Sequence, residues 1–118
     1  MKKVLVVDDE ESIRELYRAD LSDEGYEVGL AADGREALDF LESFLPNLVT
    51  LDIKLPDIDG IEVLRRIREK NATIPVILLT AFGEFRQDFN TWASDAYIVK
   101  SADTGELKAT VREILSRA

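Results

Sequence analysis

Five polar residues stand at the ends of short apolar segments, where their side chains could act together: Asp8, Asp9, Asp52, Thr80 and Lys100. Carboxylates without histidine or cysteine partners are hard oxygen ligands, which suit Mg²⁺ or Ca²⁺ better than zinc or copper. Three acids would repel a phosphate group, so a cation must bind before phosphate can approach. Lys100 then supplies a second positive charge and Thr80 a hydroxyl donor, as phosphoryl transfer requires. The residue types therefore predict a site for metal-assisted phosphoryl transfer.

Asp52 differs from the other two acids because it lies on a segment that should run through the centre of a sheet. From there it would face both Thr80 and Lys100, whereas Asp8 and Asp9 are neighbours on another segment. A positioned carboxylate can act as a nucleophile and form a covalent intermediate. We therefore predict that Asp52 is the acceptor of the phosphoryl group.

The elements that must position these residues alternate regularly along the chain. Five apolar segments mostly lack polar alternation, as parallel strands covered on both faces do: Val4–Val7, Val28–Ala32, Leu48–Ile53, Pro75–Ala81 and Ala96–Val99. Apolar residues recur at helical spacing outside them: Ile13, Leu16, Tyr17 and Leu21; Ala37, Leu38 and Leu41; Ile61, Leu64 and Ile67; Leu107, Val111, Ile114 and Leu115. This predicts an α/β fold with a doubly wound five-stranded parallel sheet of order 2-1-3-4-5, a flavodoxin-like (βα)₅ three-layer sandwich. Ligands of such sheets bind beyond the carboxyl ends of the strands, where the five polar residues lie.

Three of the predicted helices begin with the same spacing, an aspartate followed three residues later by a glutamate. The pairs are Asp33 with Glu36, Asp59 with Glu62, and Asp103 with Glu106. In a capping box, the first side chain accepts from a backbone N–H of the first turn and the second reaches back. We therefore predict a capping box at each of these three helix starts.

Composition narrows the classes of function. The 118 residues are 46% hydrophobic and 33% charged, which is typical of one globular domain, predicted over residues 1–118. Neither cysteine nor histidine is present, which excludes disulfides, zinc sites that need these ligands, Ser-His-Asp catalysis and a phosphohistidine role. A formal net charge of −9 argues against direct binding of nucleic acid. The run Val4–Val7 is too short for a signal peptide and no uncharged run could span a bilayer, so we predict a cytoplasmic domain without membrane contact.

Four segments carry a recognisable pattern: VLVVDDE at residues 4–10, LDIKLPDIDG at 51–60, LLTAFGE at 78–84 and AYIVK at 96–100. In this order, and over essentially the whole chain, they resemble the motifs of two-component response-regulator receiver domains of the chemotaxis-regulator kind. The resemblance implies a phosphoacceptor signalling domain, which catalyses only its own phosphorylation and dephosphorylation and is not otherwise an enzyme.

The resemblance also assigns roles to residues. It implies a Mg²⁺ (or Mn²⁺) site made of Asp8, Asp9, Asp52 and the backbone carbonyl of Lys54. It implies that Asp52 is phosphorylated and that Thr80 and Lys100 contact the phosphoryl group. Tyr97 would be the aromatic switch residue, which turns inward when Thr80 moves.

Two kinds of partner are implied by the same resemblance. The phosphoryl donor would be the phosphohistidine of a sensor histidine kinase or of a phosphotransfer protein. A downstream effector would bind the face formed by the predicted helix 4 (residues 86–91), strand 5 (Ala96–Val99) and helix 5, which carries the apolar stripe from Leu107 to Leu115. Four aromatic residues at helical spacing fit either core packing or a partner surface there: Phe82, Phe85, Phe89 and Trp92.

Two features depart from the family pattern. Ser101 follows Lys100 where receiver domains usually have proline, so we expect a trans peptide, because a cis bond before serine would cost ~3–4 kcal/mol. Residues 86–91, in the predicted helix 4, are poor in strong helix formers, so we expect this helix to be short, bent or mobile.

Three other classes of protein share parts of this pattern. A flavodoxin needs a phosphate-binding loop after strand 1, where Asp8, Asp9 and Glu10 would repel phosphate. A haloacid-dehalogenase-type phosphatase places its nucleophile in an Asp-x-Asp after the first strand, whereas the acids here are adjacent. A receiver-like module that signals without phosphorylation stays open as an alternative, since the unusual helix 4 bears on output.

Overall fold

The fold is an alternation of strands and helices, seen in a computed structural model that describes residues 1–71, 73–81, 95–100 and 103–117. Within those ranges the elements are β1 (Lys3–Val7), α1 (Glu11–Asp23), β2 (Glu27–Ala31), α2 (Gly34–Phe44), β3 (Leu48–Asp52), α3 (Gly60–Lys70), β4 (Val76–Thr80), β5 (Ala96–Val99) and α4 (Gly105–Leu115). All strand pairs are parallel, and the sheet order is β2-β1-β3-β4-β5. The predicted fold class and strand order are confirmed. The predicted helix 4, the four aromatic residues from Phe82 to Trp92, and Ser101 lie outside the described residues.

Among the described residues, two helices pack on each face of the sheet. Leu5 and Val7 pack on one side, in a cluster with residues of α2 and α3. Val4 and Val6 pack on the other, in a cluster with residues of α1 and α4. Successive side chains of a strand point to opposite faces, so a strand covered on both faces is apolar at most of its positions. Full burial of one such side chain contributes roughly 1.5–3 kcal/mol, which explains why the apolar segments predict the strands so well.

The helix starts agree only in part with the predicted capping boxes. At α2 the Asp33 carboxylate accepts from the Glu36 N–H at 2.8 Å, and Glu36 Oε1 accepts from the Ala32 N–H at 2.6 Å. At α3 the Asp59 carboxylate accepts from the Ile61 N–H at 2.7 Å. The reciprocal bond predicted for Glu62 is wrong, because Glu62 lies in ion pairs with two arginines of its own helix.

The third predicted box is also wrong, because α4 begins one residue later than the spacing indicates. Thr104 is its N-cap, and Asp103 accepts from the Gly105 N–H at 2.8 Å. The Thr104 hydroxyl donates to Asp20 of α1 and is buried there. A contact between two helices has therefore set the start of α4.

None of the helices formed by the described residues is long and apolar enough to cross a membrane.

Candidate functional site

The predicted site residues meet at the carboxyl edge of the sheet. In the register of the strands, Val7 lies beside Leu51 and Thr80 beside Val99, so β1, β3, β4 and β5 all end at this edge. A cavity of about 250 Å³ opens there, lined by Asp9, Glu10, Asp52, Lys54, Thr80, Ala81 and Lys100. Asp8 is fully buried directly beside it. The structure thus brings the five polar residues predicted from the sequence into one place.

Lys100 holds the acids of this site together. Its Nζ lies 2.8 Å from Asp8 Oδ2, 3.1 Å from Asp52 Oδ2 and 3.4 Å from Glu10 Oε1. The backbone N–H of Lys100 donates to the Thr80 carbonyl at 2.7 Å, which fixes the end of β5 against β4. Burial alone would lower the pKa of Lys100, but the neighbouring Asp8 and Asp52 outweigh it and raise that pKa. The lysine is therefore charged at neutral pH and opposes the repulsion between the carboxylates.

Asp52 ends β3 and is 4% exposed. Its Oδ1 accepts from the backbone N–H of Lys54 at 3.2 Å, and its Oδ2 accepts from Lys100. Burial and the nearby charge of Asp8 raise the pKa of Asp52 to about 6, against the opposing effect of Lys100. At neutral pH the carboxylate is mostly ionised, as a nucleophile must be.

Three carboxylates are arranged as hard oxygen donors. Asp8, Asp9 and Glu10 each place an oxygen within 4.8 Å of the other two, and Lys100 joins Asp52 to this group. Asp8 Oδ1 accepts from the Glu10 N–H at 2.9 Å. Among the described residues Asp8 Oδ2 accepts no hydrogen bond, although it is buried and lies in an ion pair with Lys100. A buried carboxylate oxygen beside two further carboxylates fits a Mg²⁺ site.

The turn that carries these acids is held by hydrogen bonds of α1 and β2. The Arg14 side chain donates to the Asp8 carbonyl at 2.7 Å, and the Asp8 N–H donates to the Ala31 carbonyl at 3.0 Å. Tyr17 lies below the turn, where burial raises the pKa of its phenol and the Lys100 charge opposes that effect. From the sequence, Tyr17 is expected only as one of the apolar residues on the buried face of a helix. The sequence does not single out Glu10 either, because nothing but tertiary contact with Lys100 distinguishes Glu10 from Glu11.

The loop between β3 and α3 approaches the site very closely. The Gly60 N–H donates to the Ile53 carbonyl at 2.7 Å. A Cβ atom on Gly60 would lie 2.4 Å from the Asp52 carbonyl oxygen and 2.6 Å from Ile53 Cα. Only glycine can therefore begin α3 at this distance from the end of β3.

The two predicted switch residues occupy neighbouring strands. Thr80 is buried at the end of β4, and its hydroxyl donates to the Ala81 carbonyl at 3.3 Å. Tyr97, in β5, lies opposite Leu78 of β4. It is partly buried and packs against the core cluster that contains Leu5. Their predicted roles in switching stay predictions.

Comparison with known sequences identifies the family. A family model described as the response regulator receiver domain matches residues 4–112. A probable transcriptional regulator, ycf27 of Cyanophora paradoxa, is 45% identical over 98% of this chain and 49% of its own length. The alkaline phosphatase synthesis transcriptional regulatory protein PhoP of Bacillus subtilis is 41% identical over 99% of this chain and 50% of its own length. The chain thus spans about half the length of the curated relatives it matches.

Solved structures agree with this match. The response regulator protein TrrA from Thermotoga maritima, in complex with Mg²⁺–BeF, is 47% identical with a TM-score of 0.91, over 97% of this chain and 99% of that chain. The structure of histidine kinase ThkA in complex with response regulator protein TrrA matches with 48% identity and a TM-score of 0.90, over 98% of this chain and 100% of the matched chain. With a family model matched over nearly its whole length, this chain belongs to the receiver domains of two-component response regulators.

Proposed function

We propose that this domain, over residues 1–118, accepts a phosphoryl group on Asp52 from the phosphohistidine of a sensor histidine kinase or phosphotransfer protein. The observation that carries the proposal is the environment of Asp52, a nearly buried carboxylate with an ammonium group 3.1 Å away and an acidic cluster beside it. A carboxylate oxygen of Asp52 attacks phosphorus, and the phosphorus–nitrogen bond to the donor histidine breaks. Because the other ring nitrogen of the phosphohistidine carries a proton, the histidine leaves as neutral imidazole with the electron pair of the broken bond. The product is an acyl phosphate on Asp52.

A divalent cation would be held by the oxygens gathered beside Asp52. The proposed ligands are Asp8, Asp9, Asp52 and the backbone carbonyl of Lys54. The buried Asp8 oxygen, paired with Lys100 alone among the described residues, and the hard donor set support this assignment, and the related TrrA was solved with Mg²⁺–BeF. When bound, Mg²⁺ (or Mn²⁺) supplies positive charge next to the oxygens of the transferring group.

Lys100 and Thr80 act on the phosphoryl group itself. Lys100 Nζ already lies within 3.1 Å of Asp52 Oδ2, so a short movement of a flexible side chain reaches an oxygen attached there. The Thr80 hydroxyl lines the same cavity at the end of the neighbouring strand. We propose that its movement toward the phosphoryl group lets Tyr97 turn inward and changes the effector surface around β5 and α4.

The partners follow from the family and its relatives. The related TrrA was solved with the histidine kinase ThkA, which supports a histidine kinase as the donor. Several curated relatives are transcriptional regulators about twice as long as this chain, which supports a cytoplasmic role in which the domain controls an output partner or output domain. The receiver itself carries a net charge of −9, so we propose no direct contact of this domain with nucleic acid.

The acceptor is tested with a small acyl phosphate as donor and intact-mass measurement as readout. The wild type with Mg²⁺ should gain the mass of one phosphoryl group, and excess chelator should abolish the gain. Asp52→Asn should not be labelled, while Asp39→Asn, on the exposed surface of α2, should be labelled as the wild type is. Labelling of Asp52→Asn at the wild-type level would show that another residue is the acceptor. No labelling of the wild type would favour the phosphorylation-independent module.

A further inference from the structure

Asp57 links the loop between β3 and α3 to the first turn of α2. Its Oδ1 accepts from the Gly34 N–H and its Oδ2 from the Arg35 N–H, both at 2.9 Å. Oδ1 also accepts from the N–H of the next residue, Ile58, at 2.7 Å. A single carboxylate thus joins two segments that are 22 and 23 residues apart in the sequence.

This contact uses donors that the helix itself leaves free. The first backbone N–H groups of an α-helix have no acceptor within the helix. In α2, Asp57 accepts from Gly34 and Arg35, and Asp33 accepts from Glu36. Burial would raise the pKa of Asp57, but the N–H groups of Arg35, Gly34 and Ile58 outweigh it and hold that pKa below its ordinary value. Two aspartates therefore cap the start of α2. Asp33 is the N-cap residue of the helix itself, and Asp57 comes from the loop between β3 and α3.

Close packing holds the loop in the same place. A Cβ atom on Gly34 would lie 2.8 Å from Val63 Cγ2 and 3.0 Å from Ile58 Cβ. A glycine at the first position of α2 is therefore needed for the loop to lie flat against the helix. Ile58 itself packs against the core cluster, as Leu55 does, so the loop is fixed by apolar contact as well as by Asp57.

The same loop carries the backbone that faces Asp52. The Lys54 N–H donates to Asp52 Oδ1 at 3.2 Å, three residues before Asp57. At the far end of the loop, Asp59 caps α3 through the Ile61 N–H. Between these two ends of the loop, Asp57 connects the loop to another helix, α2.

We propose that Asp57 is a positioning residue for the metal site. By tying the loop to α2, it keeps the backbone of Lys54 at the mouth of the cavity, where its carbonyl can complete the shell of a bound Mg²⁺. The inference rests on the proposed function, because it assumes that a divalent cation binds beside Asp52. Groups that orient metal ligands without touching the metal typically change affinity about 10–100-fold when they are removed.

The test compares Asp57→Ala with Asp33→Ala, which removes the other aspartate from the same helix start but does not touch the loop. Mg²⁺ affinity is measured by calorimetry on the folded proteins. Asp57→Ala should raise the Kd for Mg²⁺ by about tenfold or more, whereas Asp33→Ala should leave it within about twofold of the wild type. Asp57→Asn keeps one acceptor oxygen and should give an intermediate increase of about threefold.

A second readout needs no metal. The Lys54 amide should exchange with solvent about ten times faster in Asp57→Ala than in the wild type or Asp33→Ala. A purely structural cap would weaken both aspartate variants alike in overall stability and would not single out this amide.

The outcomes separate this inference from the proposed function. If the wild type binds no Mg²⁺, the proposed function is wrong and the role of Asp57 in metal positioning is overturned with it. If the wild type binds Mg²⁺ and the Asp57→Ala affinity is unchanged, or equals that of Asp33→Ala, only the inference is overturned. If Asp57→Ala does not fold, the Asp57→Asn affinity decides, and an unchanged Kd contradicts the proposal.

Discussion

Replacing Asp52 with asparagine should make the metal-free protein more stable at neutral pH, although it removes the predicted acceptor. The physical reason is the raised pKa of Asp52, which moves from 3.8 to about 6 because of burial and the charge of Asp8. The folded state therefore disfavours the ionised form of this carboxylate. Asparagine has the same shape, keeps an oxygen for the Lys54 N–H and carries no charge.

The magnitude follows from the two pKa values of Asp52, with one pH unit worth about 1.36 kcal/mol. Between about pH 3.8 and pH 6 the folded state holds a proton that the unfolded state has lost, so stability falls as pH rises through this window. Above about pH 7 nearly the full penalty is present, at roughly 3 kcal/mol. At pH 5 it has fallen to roughly 1.6 kcal/mol.

Urea unfolding in chelator, followed by far-ultraviolet circular dichroism, measures this difference for wild type and Asp52→Asn at pH 7.5 and pH 5. We expect Asp52→Asn to be more stable at both values, with the gain at pH 5 about half that at pH 7.5. Asp39→Asn is the matched control on the exposed surface and should shift stability by less than about 0.5 kcal/mol. Mg²⁺ at about 100 times its Kd should add roughly 2.7 kcal/mol to the wild type and less to Asp52→Asn.

Two results would refute this reasoning. If Asp52→Asn is less stable than the wild type without metal, the carboxylate is mainly a structural hydrogen-bond acceptor. If the gain does not change between pH 7.5 and pH 5, the stabilisation has a cause other than the ionisation of Asp52.

Lys100→Ala should lower metal-free stability by roughly 3 kcal/mol, because the carboxylates around its ammonium lose their cation; unchanged urea unfolding would contradict the charge balance described here. Thr80→Ala should still be phosphorylated on Asp52 in the mass assay, but the NMR signals of Tyr97 should no longer shift on phosphorylation, and a wild-type shift would remove Thr80 from the switch. Gly60→Ala should destabilise the fold by about 1–3 kcal/mol in urea unfolding, because its Cβ would meet the Asp52 carbonyl oxygen at 2.4 Å; wild-type stability would mean that the loop can move aside.

The sheet was predictable because each of its strands is apolar for a simple physical reason. Four of the five predicted strands differ from the observed ones by a residue at one or both ends, as at β2, predicted over Val28–Ala32 and observed over Glu27–Ala31. Glu27 belongs to the strand because its N–H donates to the Lys2 carbonyl and it pairs with Lys3. The hydrophobicity of the sequence does not show which polar residues pair through their backbone, so errors of this kind are expected at strand ends.

The site was predictable where polar residues follow apolar strands, and not where the role of a residue depends on tertiary contact alone. Asp52 and Thr80 stand out because polar residues rarely end apolar strands without a reason. Glu10 and Asp57 are exposed acids among 24 acidic residues, and only the fold shows that one contacts Lys100 and the other caps a distant helix. The predicted box at Asp103 failed for the same reason, since the start of α4 depends on a contact between Thr104 and Asp20.

The contacts of Lys100 explain why a divalent ion suits this site. One ammonium among the carboxylates of Asp8, Asp9, Glu10 and Asp52 leaves three negative charges uncompensated when all four are ionised. A cation with two positive charges compensates two of them, whereas a second lysine would compensate only one and would fill the cavity. Under the proposed function, the added positive charge takes over from Lys100 at Asp8 and lets Lys100 follow the phosphoryl group on Asp52. The raised pKa of Asp52 reflects a loss of stability in the metal-free fold. The same cluster of carboxylates that causes this loss allows the fold to bind a cation when one is present.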